Sequence, residues 1–355
     1  MSISAYFLCL PQGPPDRAAY QHLAVCLAEG LSALGIPVYG NCNYWRRSPD
    51  PDDYLIKHDP AVDAAACTLV VATHSWRDYG VRLPELPSTS LRVFLDGSDE
   101  DPRKGYRDDY PRFDLVLRTH YSRGLPYPSN VRPWAFGLSN RIIRATTPSA
   151  GEREPVLLVN YRVGHELRRV AEPVITALSE VLAVDRTVEP LELVPDSSAA
   201  DLQWRQTGRR HHPNYYRRLG RASLCACFGG MRVPPTRIIL QWDSWRLWES
   251  MSAGTAALHM DLGRCCAGMP VMPEAQRQCL AADPSRPEML VDYLRAEVGS
   301  LGRIGREGRA WALANYAPQP VAMRLLDALG LSQGARRAAG PGGAARGPAG
   351  KMTGR

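Results

Sequence analysis

A cation, a carboxylate and a helix start fall together in residues 243–254, DSWRLWESMSAG. Asp243 or Ser244 can cap a helix, Arg246 and Glu249 stand three apart and share one face, and Gly254 supplies a stop. Just upstream, SLCACF runs into Gly229 and Gly230, where the chain can turn sharply and a ligand can approach the backbone. A guanidinium and a carboxylate near a helix N-terminus suit a nucleoside diphosphate. The helix end and Arg246 favour the phosphates, and Glu249 can accept from ribose hydroxyls. Arg232, in the loop after Gly230, is a second cation. The competing reading is an intrahelical Arg246–Glu249 pair worth only ~0.3–0.5 kcal/mol.

Such residues need strands and helices to aim them. Residues 5–10, 36–39, 68–73, 91–95 and 114–117 are short, continuously apolar runs separated by turn-rich loops and, over 17–34, by a helical stripe of Leu23, Cys26, Leu27, Leu31 and Leu34. Continuous rather than alternating apolarity predicts a parallel sheet covered on both faces. Residues 145–154 are polar with Pro and Gly, and a new run, PVLLVN, begins at 155. The rhythm then repeats: helices over 166–183, 213–222, 242–253, 287–298 and 304–329, and strands over 223–228 and 255–260. This predicts an α/β protein of two facing, doubly wound halves, 1–145 and 150–331, with the site in the cleft between them at the strands' carboxyl ends.

Composition narrows the function classes. The chain has 355 residues, 45% hydrophobic and 22% charged, which excludes a fibrous or wholly disordered protein. Its net charge of +7 invites a nucleic-acid reading, yet the five basic residues of 332–355 leave only about +2 on the rest. That Gly/Ala/Pro/Arg tail is predicted to be disordered. No run is long enough for a membrane span, and the apolar start lacks a basic leader and is broken by Pro11, Pro14 and Pro15. The nine cysteines form no repeated C-x2-C pairs, so zinc is not expected. Reduced, structural thiols and a cytoplasmic setting are expected instead.

The arrangement SLCACFGG followed by DSWRLWESMSAGTAALHMD resembles the nucleotide-sugar site of GT-B glycosyltransferases, the exostosin-like and spore-coat-type groups in particular. Ser244, Arg246, Glu249 and Gly254 match the pattern position by position. VFLDGSDED, DLVLRTHY and NVRPWAFGL are similar to the end of the acceptor-side domain of these groups, and GRIGREGRAWALANYAP to their closing helices. The resemblance implies two Rossmann-like domains with the donor held by 150–331. It also implies a sugar moved from a nucleoside diphosphate to a hydroxyl or amine of a small-molecule or glycan acceptor. Arg162 is then expected to balance the diphosphate leaving group, and no metal or other cofactor is required. Many retaining members carry two glutamates separated by seven residues; here the first position is Gln241.

If configuration is inverted, a base must come from the first half. His74 follows TLVVAT, and Asp96 and Asp99 follow LRVFL, each at the carboxyl end of a predicted strand; His120 is a further option. The competing readings are a tight Asp-Gly turn and a capping histidine. His211 and His212, among arginines and Tyr215–Tyr216, could contact nucleic acid but fit a solvated helix entry better. Two rival functions remain: a catalytically degenerate binding or scaffold protein of this fold, and a glycosyltransferase acting on modified DNA bases, which the near-neutral core disfavours.

Overall fold

Continuous apolar runs become strands buried on both faces, as in β5 (Leu69–Thr73), β11 (Ala222–Ala226) and β12 (Ala256–Met260). In this computed structural model the described residues are 3–11, 20–73, 82–98, 105–148, 152–161, 164, 166–187, 199–229, 241–297 and 299–332. His74, Asp99, Arg162, Gly230, Arg232 and the basic tail beyond 332 lie outside them.

The first half runs through β1 (Ala5–Leu8), α1 (His22–Ala33), β2 (Val38–Gly40), a hairpin of β3 (Tyr44–Arg46) and β4 (Tyr54–Ile56), then β5, β6 (Leu91–Asp96), β7 (Leu115–Arg118) and β8 (Val131–Pro133). Its six-stranded sheet has the order β2-β1-β5-β6-β7-β8, and every pairing is parallel. The second half comprises α2 (Asn140–Ala145), β9 (Glu154–Leu158), α3 (Glu166–Leu178), β10 (Ala183–Asp185), α4 (Ala199–Gln206), α5 (Pro213–Arg221), β11, α6 (Trp245–Ala253), β12, β13 (Leu280–Ala282), α7 (Glu288–Ala296) and α8 (Ser300–Tyr316). The last helix is α9 (Pro318–Ala328). The second sheet, β10-β9-β11-β12-β13, is also parallel throughout.

Packing crosses the boundary expected near 145–150 twice. Ala135, Leu138 and Ile142 join the second core. In the other direction, Val321, Ala322, Leu325 and Leu326 of α9 join the first, where they cover α1. The C-terminal helix expected to close the donor half therefore belongs, by packing, to the other half. The reason is local: Ala317 precedes Pro318, adopts ψ 161, and so breaks the expected single helix into α8 and α9 and turns the chain back. With α9 over it, α1 is buried nearly all round rather than along one stripe.

The seam between halves is dense. Arg123 N–H donates to the Cys266 carbonyl at 2.7 Å and Gly268 N–H to that of Tyr121 at 2.9 Å. The Arg46 N–H and carbonyl exchange bonds of 2.7 and 2.8 Å with the Gln206 side chain. Asp243 accepts from Phe136 N–H and Trp248 Nε1–H, both at 2.7 Å. Glu29 accepts from Asn140 N–H at 2.7 Å. Burial pushes the Asp243 carboxyl above its ordinary value, and the Glu29 carboxyl up to about 7.

Candidate functional site

Strand order in the second sheet reverses between β9 and β11, so the connections leaving their carboxyl ends part and open a crevice there. Two helices begin at that place: α3 follows β9, and α6 leads from β11 to β12, so both present their N-terminal ends to it. Arg246, in the first turn of α6, donates from Nε to the Asn160 carbonyl just past β9. Its guanidinium lies 6.0 Å from the centre of the Tyr161 ring. Arg168, in the first turn of α3, sits over the same ring at 5.0 Å and reaches the Phe228 carbonyl, just past β11, at 3.5 Å. Arg246 has no carboxylate partner among the described residues. The buried Tyr161 hydroxyl has no hydrogen-bond partner among the described residues, and burial raises its pKa, so it stays neutral. Two guanidinium groups and two helix starts are chemically suited to a dianion such as a diphosphate.

Gly229 shapes the same edge. A Cβ there would lie 2.3 Å from the Gln241 carbonyl oxygen, so the chain on either side of residues 230–240 meets at a point only glycine allows. Trp242 and Trp248 are wholly buried, whereas Trp245 is half-buried and reaches across the seam, its ring 4.4 Å from that of His22 and 5.3 Å from that of Tyr20.

Several expected roles need correction. Ser244 occupies the cap position of α6, but its hydroxyl makes no cap bond, and Asp243 ties the seam instead. Glu249 is turned into the core, 4% exposed, with its carboxylate accepting from Tyr215 at 3.0 Å and Tyr216 at 2.8 Å. Its distance down the helix explains this, since three residues past Arg246 place it about 4.5 Å deeper. Tyr216 also receives a bond from the buried Arg141 at 2.9 Å. Glu249 thus pairs with neither Arg246 nor an open ribose position. Gly254 ends α6 in the left-handed conformation, φ 71, at the opposite pole of the sheet from the crevice, so its role is to stop the helix.

Asp96 is not open to an acceptor either. It is completely buried, with Arg118 donating at 2.6 Å, Ser98 N–H at 3.0 Å and the Tyr110 hydroxyl also bound. Buried and engaged by a guanidinium and two further donors, this carboxylate is closed to an acceptor. His120 accepts from Asp243 N–H at 3.1 Å within the seam. His211 accepts from Arg141, His212 caps α5, and Tyr215 and Tyr216 face Glu249, so this cluster presents no stacking surface for bases. Among the expected donor residues that are described, only Arg246 stands at the crevice with groups left to bind. Arg168 and Tyr161 were missed, although the logic that selected Arg246, a cation in the first turn after a strand, applies equally to Arg168.

The architecture matches solved structures. HepE from Anabaena, solved with UDP and glucose, superposes at TM-score 0.53 with 11% identity over 92% of this chain and 99% of its own. AviGT4, a glycosyltransferase of avilamycin A biosynthesis, gives 0.52 with 14% identity over 95% and 98%. The chain spans about half the length of TarM from S. aureus, 54% of that chain and 73% of this one, at TM-score 0.46 and 8% identity. No protein-family model matches the chain, and no curated protein matches it in sequence. At these identities the likeness establishes the fold: two Rossmann-like α/β halves in the GT-B arrangement. Among the described residues no helix is long and apolar enough to cross a membrane.

Proposed function

We propose that the chain is a glycosyltransferase that takes a sugar from a nucleoside diphosphate seated at the β9/β11 crevice and passes it to a hydroxyl or amine presented from the first half. The observation that carries this reading is Arg246, which joins the start of α6 to the Asn160 carbonyl beside Tyr161 and keeps donors for an anion. As the glycosidic bond breaks, negative charge builds on the departing diphosphate. Arg246, Arg168 and the two helix starts are placed to stabilise it. The ribose contact expected of Glu249 is not part of the proposal, because both its oxygens are engaged. With Asp96 sealed, the base that takes the acceptor's proton is proposed to be His74 or Asp99. The exostosin-like or spore-coat-type grouping rests on the Ser244-to-Gly254 spacing. A reducing, cytoplasmic compartment is part of the proposal and rests on the cysteine pattern of the sequence.

A second reading, a binding protein of this fold without turnover, is favoured by Gln241 at the first glutamate position and by the engaged Glu249. One assay separates the two. Wild-type protein and Arg246→Ala are incubated with a panel of nucleoside-diphosphate sugars, with and without simple glycan acceptors, and freed nucleoside diphosphate is measured. Release by wild type that is lost in the variant supports a transferase. Donor binding without release favours the second reading, and neither binding nor release overturns both.

A further inference from the structure

Arg246 is carried on a turn whose anchorage lies in the other half of the molecule. A helix start needs something to fix it, because its first N–H groups have no partner within the helix. In α6 the usual device is missing: the Ser244 hydroxyl makes no cap bond, and the first turn carries no acid. The residues around Ser244 supply the anchorage instead. Trp242 donates from Nε1 to the Tyr121 carbonyl at 3.0 Å, and Asp243 N–H donates to His120 Nδ1 at 3.1 Å. Tyr121 and His120 lie just past β7, in the first half. The Asp243 carboxylate accepts from Phe136 N–H and Trp248 Nε1–H, each at 2.7 Å, and so ties the segment between β8 and α2 to α6 itself.

Trp245 goes furthest. It belongs to α6, yet its ring packs with the first core. The ring centres of His22, Tyr20 and Phe136 lie 4.4, 5.3 and 5.8 Å from its own. These rings have other partners that hold them. Tyr20 is backed by the buried Trp45, 5.1 Å away, whose backbone takes a left-handed φ of 62 that bulky residues rarely adopt. His22 opens α1; its Nδ1 accepts from the Tyr20 hydroxyl at 3.1 Å and its Nε2–H donates to the Gly137 carbonyl at 3.2 Å. Arg246 follows Trp245 directly. Its bond to the Asn160 carbonyl fixes the guanidinium relative to β9, while the turn that carries it is placed by residues 242, 243 and 245.

We infer that Trp245 is a positioning residue for the anion site: locked among Tyr20, His22 and Phe136, it sets the turn of α6 that aims Arg246 at the crevice. The first half thereby determines how well the second half holds a diphosphate. This rests on the crevice being a nucleoside-diphosphate site; Trp245 acts through Arg246 and not on the ligand. Equilibrium titration of the full chain tests it with UDP, and with GDP and ADP should UDP not bind, on wild type, Trp245→Ala, Arg246→Ala and the double variant. Trp245→Ala, folded by circular dichroism, is expected to bind about five- to tenfold more weakly than wild type, and Trp245→Phe to regain most of that loss. In the Arg246→Ala background the same substitution should change affinity by less than about twofold, because the group it positions is gone. A tryptophan that merely stabilised the fold, or that touched the ligand itself, would weaken both backgrounds alike. Tyr20→Leu, across the seam, should reproduce the loss, and it carries the test if Trp245→Ala does not fold. Full affinity in Trp245→Ala or in Tyr20→Leu, or equal losses in the two backgrounds, would overturn the positioning role and leave the diphosphate site standing. No nucleoside diphosphate bound by wild type, or one bound equally by Arg246→Ala, would overturn both.

Discussion

Arg118 and Arg246 stand at the carboxyl ends of the two sheets and are handled in opposite ways. Arg118, at the end of β7, is buried with its charge matched by Asp96, and Tyr110 and Ser98 fill that carboxylate's remaining acceptor sites. Arg246, at the start of α6, gives one bond to a carbonyl and has no carboxylate partner among the described residues. A matched buried pair holds strands in register and is sealed from a ligand. A half-buried cation at a helix start has little structural work and retains donors for an anion. The difference teaches that the carboxyl end of the first sheet is closed at this point by a matched pair, whereas that of the second keeps a cation suited to the anion binding proposed for it.

The largest expected effect would come from opening the closed end. Asp96→Ala leaves Arg118 buried without its anion and should cost about 3–5 kcal/mol in urea unfolding, with nucleotide affinity of the folded fraction retained. Full stability with abolished turnover would reverse the comparison and return Asp96 to the role of base. The seam comes next. Burial holds the Glu29 carboxyl at about 7 against an ordinary 4.5, so the native state takes up a proton more readily than the unfolded chain. Its contribution is present at low pH and is lost as pH rises from about 4.5 through about 7, a loss of up to about 3 kcal/mol at 1.36 per unit. Glu29→Gln should flatten that stretch of the stability-against-pH curve; an unchanged slope would contradict it. The smallest effect is expected at the hairpin clamp. Gln206→Ala removes two bonds to Arg46 and should cost about 1–2 kcal/mol, read as a lower Tm with unchanged nucleotide affinity.

Much of the fold was legible because it depends on local pattern. TLVVAT, LRVFL and SLCACF could only be strands covered on both sides, and two runs of them separated by a polar stretch implied two sheets. The elements missed depend on partners distant in sequence. The β3–β4 hairpin has three residues in each strand, too few for a period, and it docks through Tyr44, Trp45, Leu55 and Ile56 in the first core and through Gln206, 160 residues away from Arg46. The strands β8, β10 and β13 have three residues each, too few for a period to show. At the site, spacing correctly put Arg246 at a helix start, but three-residue spacing alone could not show that Glu249, one turn deeper, meets the tyrosines of α5. Arg168 and Tyr161 gather at the crevice only because β9 and β11 are neighbours, a fact of topology rather than of spacing.

The proposed function requires the β9/β11 crevice to be a nucleoside-diphosphate site, and equilibrium titration of UDP and other nucleoside diphosphates into wild type and Arg246→Ala tests it most directly. It predicts that wild type binds at least one of them and that the variant, still folded, binds it about tenfold or more weakly. Equal affinity in the two proteins, or no nucleoside diphosphate bound by wild type, would contradict it.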